Sequence, residues 1–424
     1  MSRPEARGWT GAAAGLATAL AGLVLLAGCG TTHPAVVTTT AVESVSVPAA
    51  RSGEMSIYAS VDLDGPNASP SLADAMQLAL EQAGGQADKT SIRLVVLDES
   101  NANGAADPAA VAAAAHAAAS DPTTVAYLGD QTSDDTAIAL PILNRAGILE
   151  VSPTATYGGL TRGSADPSEP AKYYPSGRRT FARVVPSDNA QAAAQASYEH
   201  TLGCTHVSIL DDGTLYGRGL AASFATDAKA VGLAIVGSRA ISTAGTQYGT
   251  LAAGVAGVAD CVLFIGDPAP GVAALFGALH AAGPQLKLFG TDALATQSFA
   301  ASLGSAHVAT HLTAPTLDPS FYGESGDAFY EAYGLRFGGP PDSSAIFGYE
   351  AMNAVLSAID AAGSRSRAAI VDAFFNINNR VSPLGTYSID ADGDTTLNRY
   401  GSFLVVDSGL QFDTVLPTSL GAAG

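Results

Sequence analysis

Past residue 54 the chain alternates short, unbroken apolar runs with longer Ala-rich segments. The first runs read MSIYASVDL (55–63), IRLVVLDE (92–99), TVAYLGD (124–130) and GILEVSP (147–153). Near-continuous Val, Ile and Leu over so few residues is the pattern of a strand buried on both faces, as in a parallel sheet. Between them the spacing predicts helices over 71–82, 107–121 and 133–147. Asp107-Pro108 makes an N-cap followed by Pro at the first helical position, and Pro141 should kink the third helix. A Gly-, Pro- and Ser-rich loop (157–179) follows, and the pattern restarts. Runs FARVVPSD (181–188), HVSILDD (206–212), LAIVGSRAI (233–241), CVLFIGD (261–267) and LKLFGTDA (286–293) alternate with helices predicted over 190–202, 218–231, 248–259 and 271–282. Two successive blocks of this kind predict two doubly wound α/β domains. The remainder reads as an extended segment, HVATHLTAP (307–315), helices over 319–337, 345–362 and 367–375, and a closing β-ribbon turning at Asp392-Gly393. The chain thus crosses between lobes several times. Lobe 1 takes 54–184 and 314–382, and lobe 2 takes 185–313 and 383–417. Ligands of open α/β sheets bind beyond the carboxyl ends of the strands, so the cleft between the lobes is the expected site.

The N-terminus does not belong to this fold. Arg3 and Arg7 precede an apolar run, Gly11–Leu26, and then Leu26-Ala27-Gly28-Cys29. The run is too short and wrongly flanked for a membrane span and reads as a secretory signal, residues 1–28. Its ending resembles the bacterial lipobox, which implies that Cys29 is lipidated and becomes the new N-terminus. Residues 29–53, rich in Thr, Ser and Val, read as a lipid-anchored flexible tether. The net charge of −19 becomes −20 once Arg3, Glu5 and Arg7 are removed. A chain this acidic is not expected to bind nucleic acid. Its only Trp, Trp9, lies in the signal. The remaining cysteines, Cys204 and Cys261, form an even pair in an exported chain. With strand order 2-1-3-4-5 in the second lobe, their strands are neighbours, so a disulfide is expected over a pair of free thiols.

Catalytic and metal signatures are missing from the sequence. It has no G-x-S-x-G, H-E-x-x-H, P-loop or dinucleotide fingerprint. The His residues are scattered. Asp390–Gly401, DADGDTTLNRYG, imitates the start of a calcium loop but lacks Gly at its sixth position and an acid at its twelfth, so it reads as a β-turn. No metal, cofactor or enzymatic activity is expected.

The stretch LGDQTSDDTAIALPILNRAGILEVSPTATYGGLT (128–161) carries the strongest functional signal. Two neighbouring strands end in Ser and Thr, with one helix between them. Ser133 is placed as N-cap of that helix, with Asp134 and Asp135 in its first turn. The layout G-x-x-x-S, helix, A-G-I-L-x-V-S-P-x-A-T resembles the leucine/isoleucine/valine-binding proteins, the type I periplasmic substrate-binding family. ILDDGTLYGRGLA (209–221) and SPLGTYSIDADGDTT (382–396) resemble that family's segments near its crossovers, and the likeness spans about 56–412. It implies an α/β fold of two doubly wound parallel-sheet lobes with several inter-lobe crossovers. It also implies a ligand, an amino acid or related compound, held by its carboxylate and ammonium. By that resemblance Ser133 takes the carboxylate with its hydroxyl and N–H, the second loop supplies a carbonyl and a Thr at Thr154 and Thr156, Tyr216 lines the pocket and Asp292 meets the ammonium. Asp267 stands where an aromatic is common in the family, and Asp292 where the branched-chain binders carry Glu. The loop 62–76 lacks the family's aromatic, which leaves Asn67–Ser69 as its nearest contact.

These features point to an extracytoplasmic, lipid-anchored, monomeric solute-binding protein that delivers its ligand to an ABC-type permease. A sensor of the same fold feeding a signalling partner, a cleft hydrolase or amidase, and a structural surface lipoprotein are the competing readings.

Overall fold

The computed structural model describes residues 36–39, 50–64, 68–100 and 107–420. The signal segment, Cys29 and Asn67 lie outside the described residues. The strands are β1 (Val36–Thr39), β2 (Met55–Val61), β3 (Gln86–Ala87), β4 (Thr90–Asp98), β5 (Thr124–Leu128), β6 (Leu149–Ser152), β7 (Phe181–Arg183), β8 (His206–Asp211), β9 (Ala234–Ala240), β10 (Cys261–Ile265), β11 (Lys287–Gly290), β12 (Thr310–Ala314), β13 (Arg380–Ser382), β14 (Gly385–Tyr387), β15 (Arg399–Val406) and β16 (Gly409–Pro417). The helices are α1 (Pro70–Gln82), α2 (Pro108–Ser120), α3 (Ser133–Arg145), α4 (Asp188–Thr201), α5 (Leu215–Ala230), α6 (Gly249–Ala256), α7 (Pro270–Ala282), α8 (Gln297–Ser302), α9 (Gly323–Phe337), α10 (Ala345–Ala362) and α11 (Arg367–Phe375).

Two sheets organise the molecule. The first runs β1-β4-β2-β5-β6-β7 with β3 paired to β4, and the second runs β16-β15-β12-β11-β10-β8-β9. The run β4-β2-β5-β6-β7 and the run β9-β8-β10-β11-β12 each have the order 2-1-3-4-5. Period-two alternation along each strand sends its residues to opposite faces. In the first lobe Ile57, Leu94, Val96 and Leu128 share a core with Leu72, Met76, Phe347 and Val355 of α1 and α10. Tyr58, Val95 and Tyr127 pack the other way, against Val111, Ala114 and Leu143 of α2 and α3. In the second lobe Leu210, Phe264 and Leu288 meet Val272, Leu275 and Phe276 of α7. Ile209, Leu263 and Phe289 meet Ala192, Leu220 and Phe224 of α4 and α5 on the opposite face.

Several sequence expectations need correction. Val36–Thr39, placed in the tether, is a strand in register with Leu94–Leu97; four β-branched residues suit an edge position. The segment 304–309 is a 3-10 helix, so His307 lies outside the strand that holds His311. α3 continues through Pro141. The closing ribbon turns at Asp407-Ser408, where both residues have positive φ, the conformation of a two-residue hairpin loop. Tyr387 and Ile389 belong to the first lobe's core, so the last return to lobe 2 falls after 389, not at 383.

Asp392-Gly393 forms its own tight turn. Asp390 Oδ1 accepts the N–H groups of Asp392 (2.9 Å) and Asp394 (3.0 Å). Arg162 pairs with Asp390, Asp392 and Asp394, and Arg183 with Asp394. Arginines thus neutralise the calcium-like run.

Cys204 and Cys261 are joined in a disulfide, with Cα atoms 5.8 Å apart. β8 and β10 are parallel neighbours with Cys261 opposite Val207, which brings Cys204, two residues before β8, beside the first residue of β10. The bond closes a loop of 57 residues. A Cys204→Ala, Cys261→Ala double variant is therefore expected to lose about 2–4 kcal/mol of unfolding free energy. Urea denaturation followed by circular dichroism checks this.

Candidate functional site

The carboxyl edges of both sheets carry acids. β2 runs into Asp62, β4 ends at Asp98 and Glu99, and β5 leads through Gly129 to Asp130. In the second sheet β8 leads to Asp212, β10 to Asp267 and β11 to Asp292. Gly129 makes the turn possible: its φ is +140°, and a Cβ there would sit 2.5 Å from the Ser60 carbonyl oxygen. The Gly129–Asp130 peptide is cis. Asp130 is fully buried, and Tyr127 donates its hydroxyl to Asp130 Oδ1 at 2.8 Å. Asp130 Oδ2 has no hydrogen bond of normal geometry, and Glu99 and Ser60 lie beside the carboxyl group.

The hydroxyl-rich loops meet beside these acids. Thr132, not Ser133, caps α3, and its Oγ1 accepts the Asp135 N–H at 3.2 Å. Thr132 has the extended backbone an N-cap needs, which leaves Ser133 as the first helical residue with its hydroxyl turned to the neighbouring loop. Ser133 Oγ accepts the N–H groups of Thr156 (3.2 Å) and Tyr157 (3.1 Å). Thr154 donates its hydroxyl to the Gln131 carbonyl at 2.7 Å, which spends its proton on tying the two loops together. Ser133 and Thr156 are buried.

The second lobe closes the other side. Tyr216 lies in the first turn of α5, which begins earlier than the sequence predicted. Its hydroxyl reaches Asp292 Oδ1 at 2.6 Å and Thr291 Oγ1 at 2.7 Å. Asp188, the first residue of α4, donates its N–H to the Thr156 carbonyl at 2.9 Å. Its side chain is 1 % exposed, and neither carboxylate oxygen has a hydrogen bond of normal geometry. The structure thus joins Ser133 to Thr156, Thr156 to Asp188 and Tyr216 to Asp292. Asp267 stands apart, its backbone N–H bonded to Asp212 Oδ2 at 2.8 Å.

Asp134 reaches across the cleft. Its carboxylate accepts the N–H of Leu215 (2.9 Å) and of Tyr216 (3.3 Å) at the start of α5. The α5 N-cap, Thr214, takes the Gly217 N–H at 2.9 Å. A lobe 1 carboxylate therefore supplies cap bonds that the lobe 2 helix lacks by itself, at the positive end of its dipole.

Burial dominates the electrostatics. It pushes Asp188 up to about 8, with the Asp292 charge adding and Thr156 and Arg183 opposing. Asp267 rises to about 7 through burial and the charges of Asp212, Asp134, Asp135 and Asp292. Asp130 rises to about 7 and Asp62 to about 6, again chiefly by burial. Glu99 is pushed well above the carboxylate range by burial and by Asp130, Asp135 and Asp62. None of these groups shares an ion pair with Lys or Arg among the described residues.

Residues 57–410 match the family described as periplasmic binding protein. The chain belongs to the periplasmic binding protein family. Solved structures with the same fold include a leucine-binding protein from Thermotoga maritima, with a TM-score of 0.75 at 20% identity over 86% of this chain and 99% of that one. A branched-chain amino acid transporter substrate-binding protein from Streptococcus pneumoniae, in complex with isoleucine, gives 0.72 at 20% identity over 86% and 100%. A solute-binding protein of an ABC transporter from R. palustris, in complex with benzoate, gives 0.71 at 16% identity over 86% and 97%. No curated protein matches the chain by sequence. Among the described residues no helix is long and apolar enough to cross a membrane.

Sequence reasoning missed Asp188 and the lobe 1 acids Asp62, Glu99 and Asp130 in this periplasmic binding protein. The signal was present: strand after strand ends in Asp, as DLD, LDES, LGD, LDD, IGD and GTD. Each could be dismissed alone as a turn residue, and only the parallel topology gathers them at one edge.

Two outcomes follow from this geometry. Asp134→Ala should cost about 1 kcal/mol of closed-state stability, the usual loss for a helix cap. Small-angle scattering should then show a larger radius of gyration, and ligand affinity should fall by about fivefold. The raised carboxyls should also make the ligand-free protein less stable as pH rises. Between their unfolded values near 4 and their folded values of about 6 to 8, the unfolded chain has released protons that the folded one keeps. Stability is thus highest at the acid end of that window and declines through it, and dye-monitored melting across the range reads the decline.

Proposed function

We propose that this chain is an extracytoplasmic solute-binding lipoprotein that captures a small polar ligand, an amino acid or related compound, between its lobes and delivers it to an ABC-type permease. The supporting observation is the convergence of Ser133 and Thr156 from lobe 1 with Asp188, Tyr216 and Asp292 at the lobe junction. Ser133 Oγ accepts the Thr156 N–H, the Thr156 side chain reaches the buried Asp188, and Asp188 feels the charge of Asp292. A ligand carboxylate would take the hydroxyl protons, and its ammonium would bridge the acids. Both halves of the clamp are complete only when the lobes are closed, so the ligand binds the closed state better and shifts the population toward it. The Asp134 bridge to α5 favours the same state. Cys29 would carry the lipid that keeps the protein at the membrane.

A thermal-shift screen of amino acids, diamines and aromatic acids should give at least one compound that raises the melting midpoint by mass action. Thr156→Ala should weaken that compound by about 1–3 kcal/mol, the cost of a lost buried polar contact, read by calorimetry. Unchanged affinity removes Thr156 from the site. Turnover of the bound compound overturns the binding role.

A further inference from the structure

The clamp uses Asp188 and Asp292 and leaves a second set of acids unexplained. Asp62, Glu99, Asp130 and Asp135 come from lobe 1 and are 4 %, 0 %, 0 % and 5 % exposed. Asp267 comes from lobe 2 and feels the charges of Asp134 and Asp135 across the cleft. Inside a protein such a group is costly without cationic partners, yet among the described residues none of these acids pairs with Lys or Arg. Arg183 holds Asp394, Arg162 the Asp390–Asp394 turn, and Lys172 pairs with Asp166 and Glu169. Asp62 Oδ1 is buried with no hydrogen-bond partner, while Asp130 leans on its neighbours Glu99, Ser60 and Tyr127 and Asp188 on Thr156. What the cluster lacks is a cationic donor.

The spacing of the acids selects the kind of donor. Among the described residues the only His, Cys, Asp or Glu group whose ligand atoms lie within 4.8 Å of one another is Cys204, Asp260 and Cys261, whose sulfurs are consumed by the disulfide. The cleft acids do not converge on one point, as a metal ion requires. They come from the ends of β2, β4, β5, β10 and β11 and the first turn of α3, an arrangement that suits an elongated molecule with positive groups at separate positions.

We propose that the ligand carries two separated nitrogen cations, one held by Asp188 and Asp292 and the other by the lobe 1 acids with Asp267: a basic amino acid or a diamine. This rests on the reading of the cleft as the ligand site. The Asp found here at 267 then sets specificity by placing a carboxylate from lobe 2 against those of lobe 1.

Calorimetry on the full chain with L-lysine, L-arginine, L-ornithine, putrescine and cadaverine, beside L-leucine, benzoate and Ca²⁺, tests the proposal. At least one of the five amines should bind more than about tenfold more tightly than leucine, as charge-assisted bonds to buried acids imply. Preference for the amino acids over the diamines, or the reverse, decides whether the carboxylate clamp is used. Asp267→Asn should weaken the amine by about tenfold while raising the melting temperature of the ligand-free protein, because a buried like-charge contact is relieved. A merely structural role would lower both. Affinity should also fall between about pH 8 and about pH 5.5 as Asp267, which faces Asp212, Asp134, Asp135 and Asp292, takes up a proton. If leucine or benzoate binds as tightly as the amines, the two-cation proposal fails while the solute-binding role stands. Tight binding of Ca²⁺ alone overturns it in favour of a metal. If no compound binds, both readings fall.

Discussion

The buried pair of Arg183 and Asp394 holds the site together. Arg183 is fully buried, and its Nε meets Asp394 Oδ1 at 2.8 Å. The rest of the guanidinium is spent on the second loop of the site, with bonds to the carbonyls of Ala155 and Tyr157 and to Thr161 Oγ1. The Arg183 N–H also reaches the Gly393 carbonyl at 3.0 Å. One side chain thus ties three distant segments: the loop that carries Thr156, the strand just before the first crossover, and the turn just before the last. Removing one partner of such a pair leaves an uncompensated buried charge, a loss of about 3–5 kcal/mol. Gly393 belongs to the same knot, since its φ is +96° and a Cβ there would lie 2.2 Å from the Phe181 carbonyl.

Above that anchored floor the cleft concentrates negative charge. Parallel strands all end on one edge, so a chain that finishes strand after strand in Asp lines that edge with carboxylates. Burial then resists their ionisation, and on the proposed reading this would couple protonation to ligand charge and lobe closure. A cation entering the cleft replaces protons, and the carboxylates it meets come from both lobes. Asp134 adds a contact of another kind: its charge serves the N-terminus of α5 and needs no ligand.

Much of the architecture was legible in the sequence. The apolar runs and the closing ribbon named every strand of the two large sheets except β1 and the two-residue β3. The strand order brought Cys204 to Cys261, because residues flanking neighbouring parallel strands are adjacent whatever the helices do. The unbroken apolar runs MSIYASV and TVAYL read as strands covered on both faces, and Tyr58 and Tyr127 do pack into a different core from Ile57 and Leu128. What failed was local: the cap of α3, the start of α5 and the ribbon turn. Thr132 and Ser133 are equivalent as capping residues, and the choice between them was made by backbone angles and by the loop holding Thr156. Asp392-Gly393 and Asp407-Ser408 are both acceptable turns. The first is fixed by Arg162 and Arg183, which leaves the ribbon to the second.

By itself the sequence determined two doubly wound lobes, the disulfide partners and the hydroxyl loops at the strand ends. Those depend on periodicity and on short-range chemistry, which a linear chain records. The tertiary structure decided which side chains share the cleft. It brought Asp188 beneath Thr156, sent Asp134 across to α5, spent the Thr154 hydroxyl on a backbone carbonyl and assembled acids from separate strands into one charged wall. These are through-space relations between residues far apart in the chain, and their energies come from burial and mutual repulsion, which exist only once the sheets are formed.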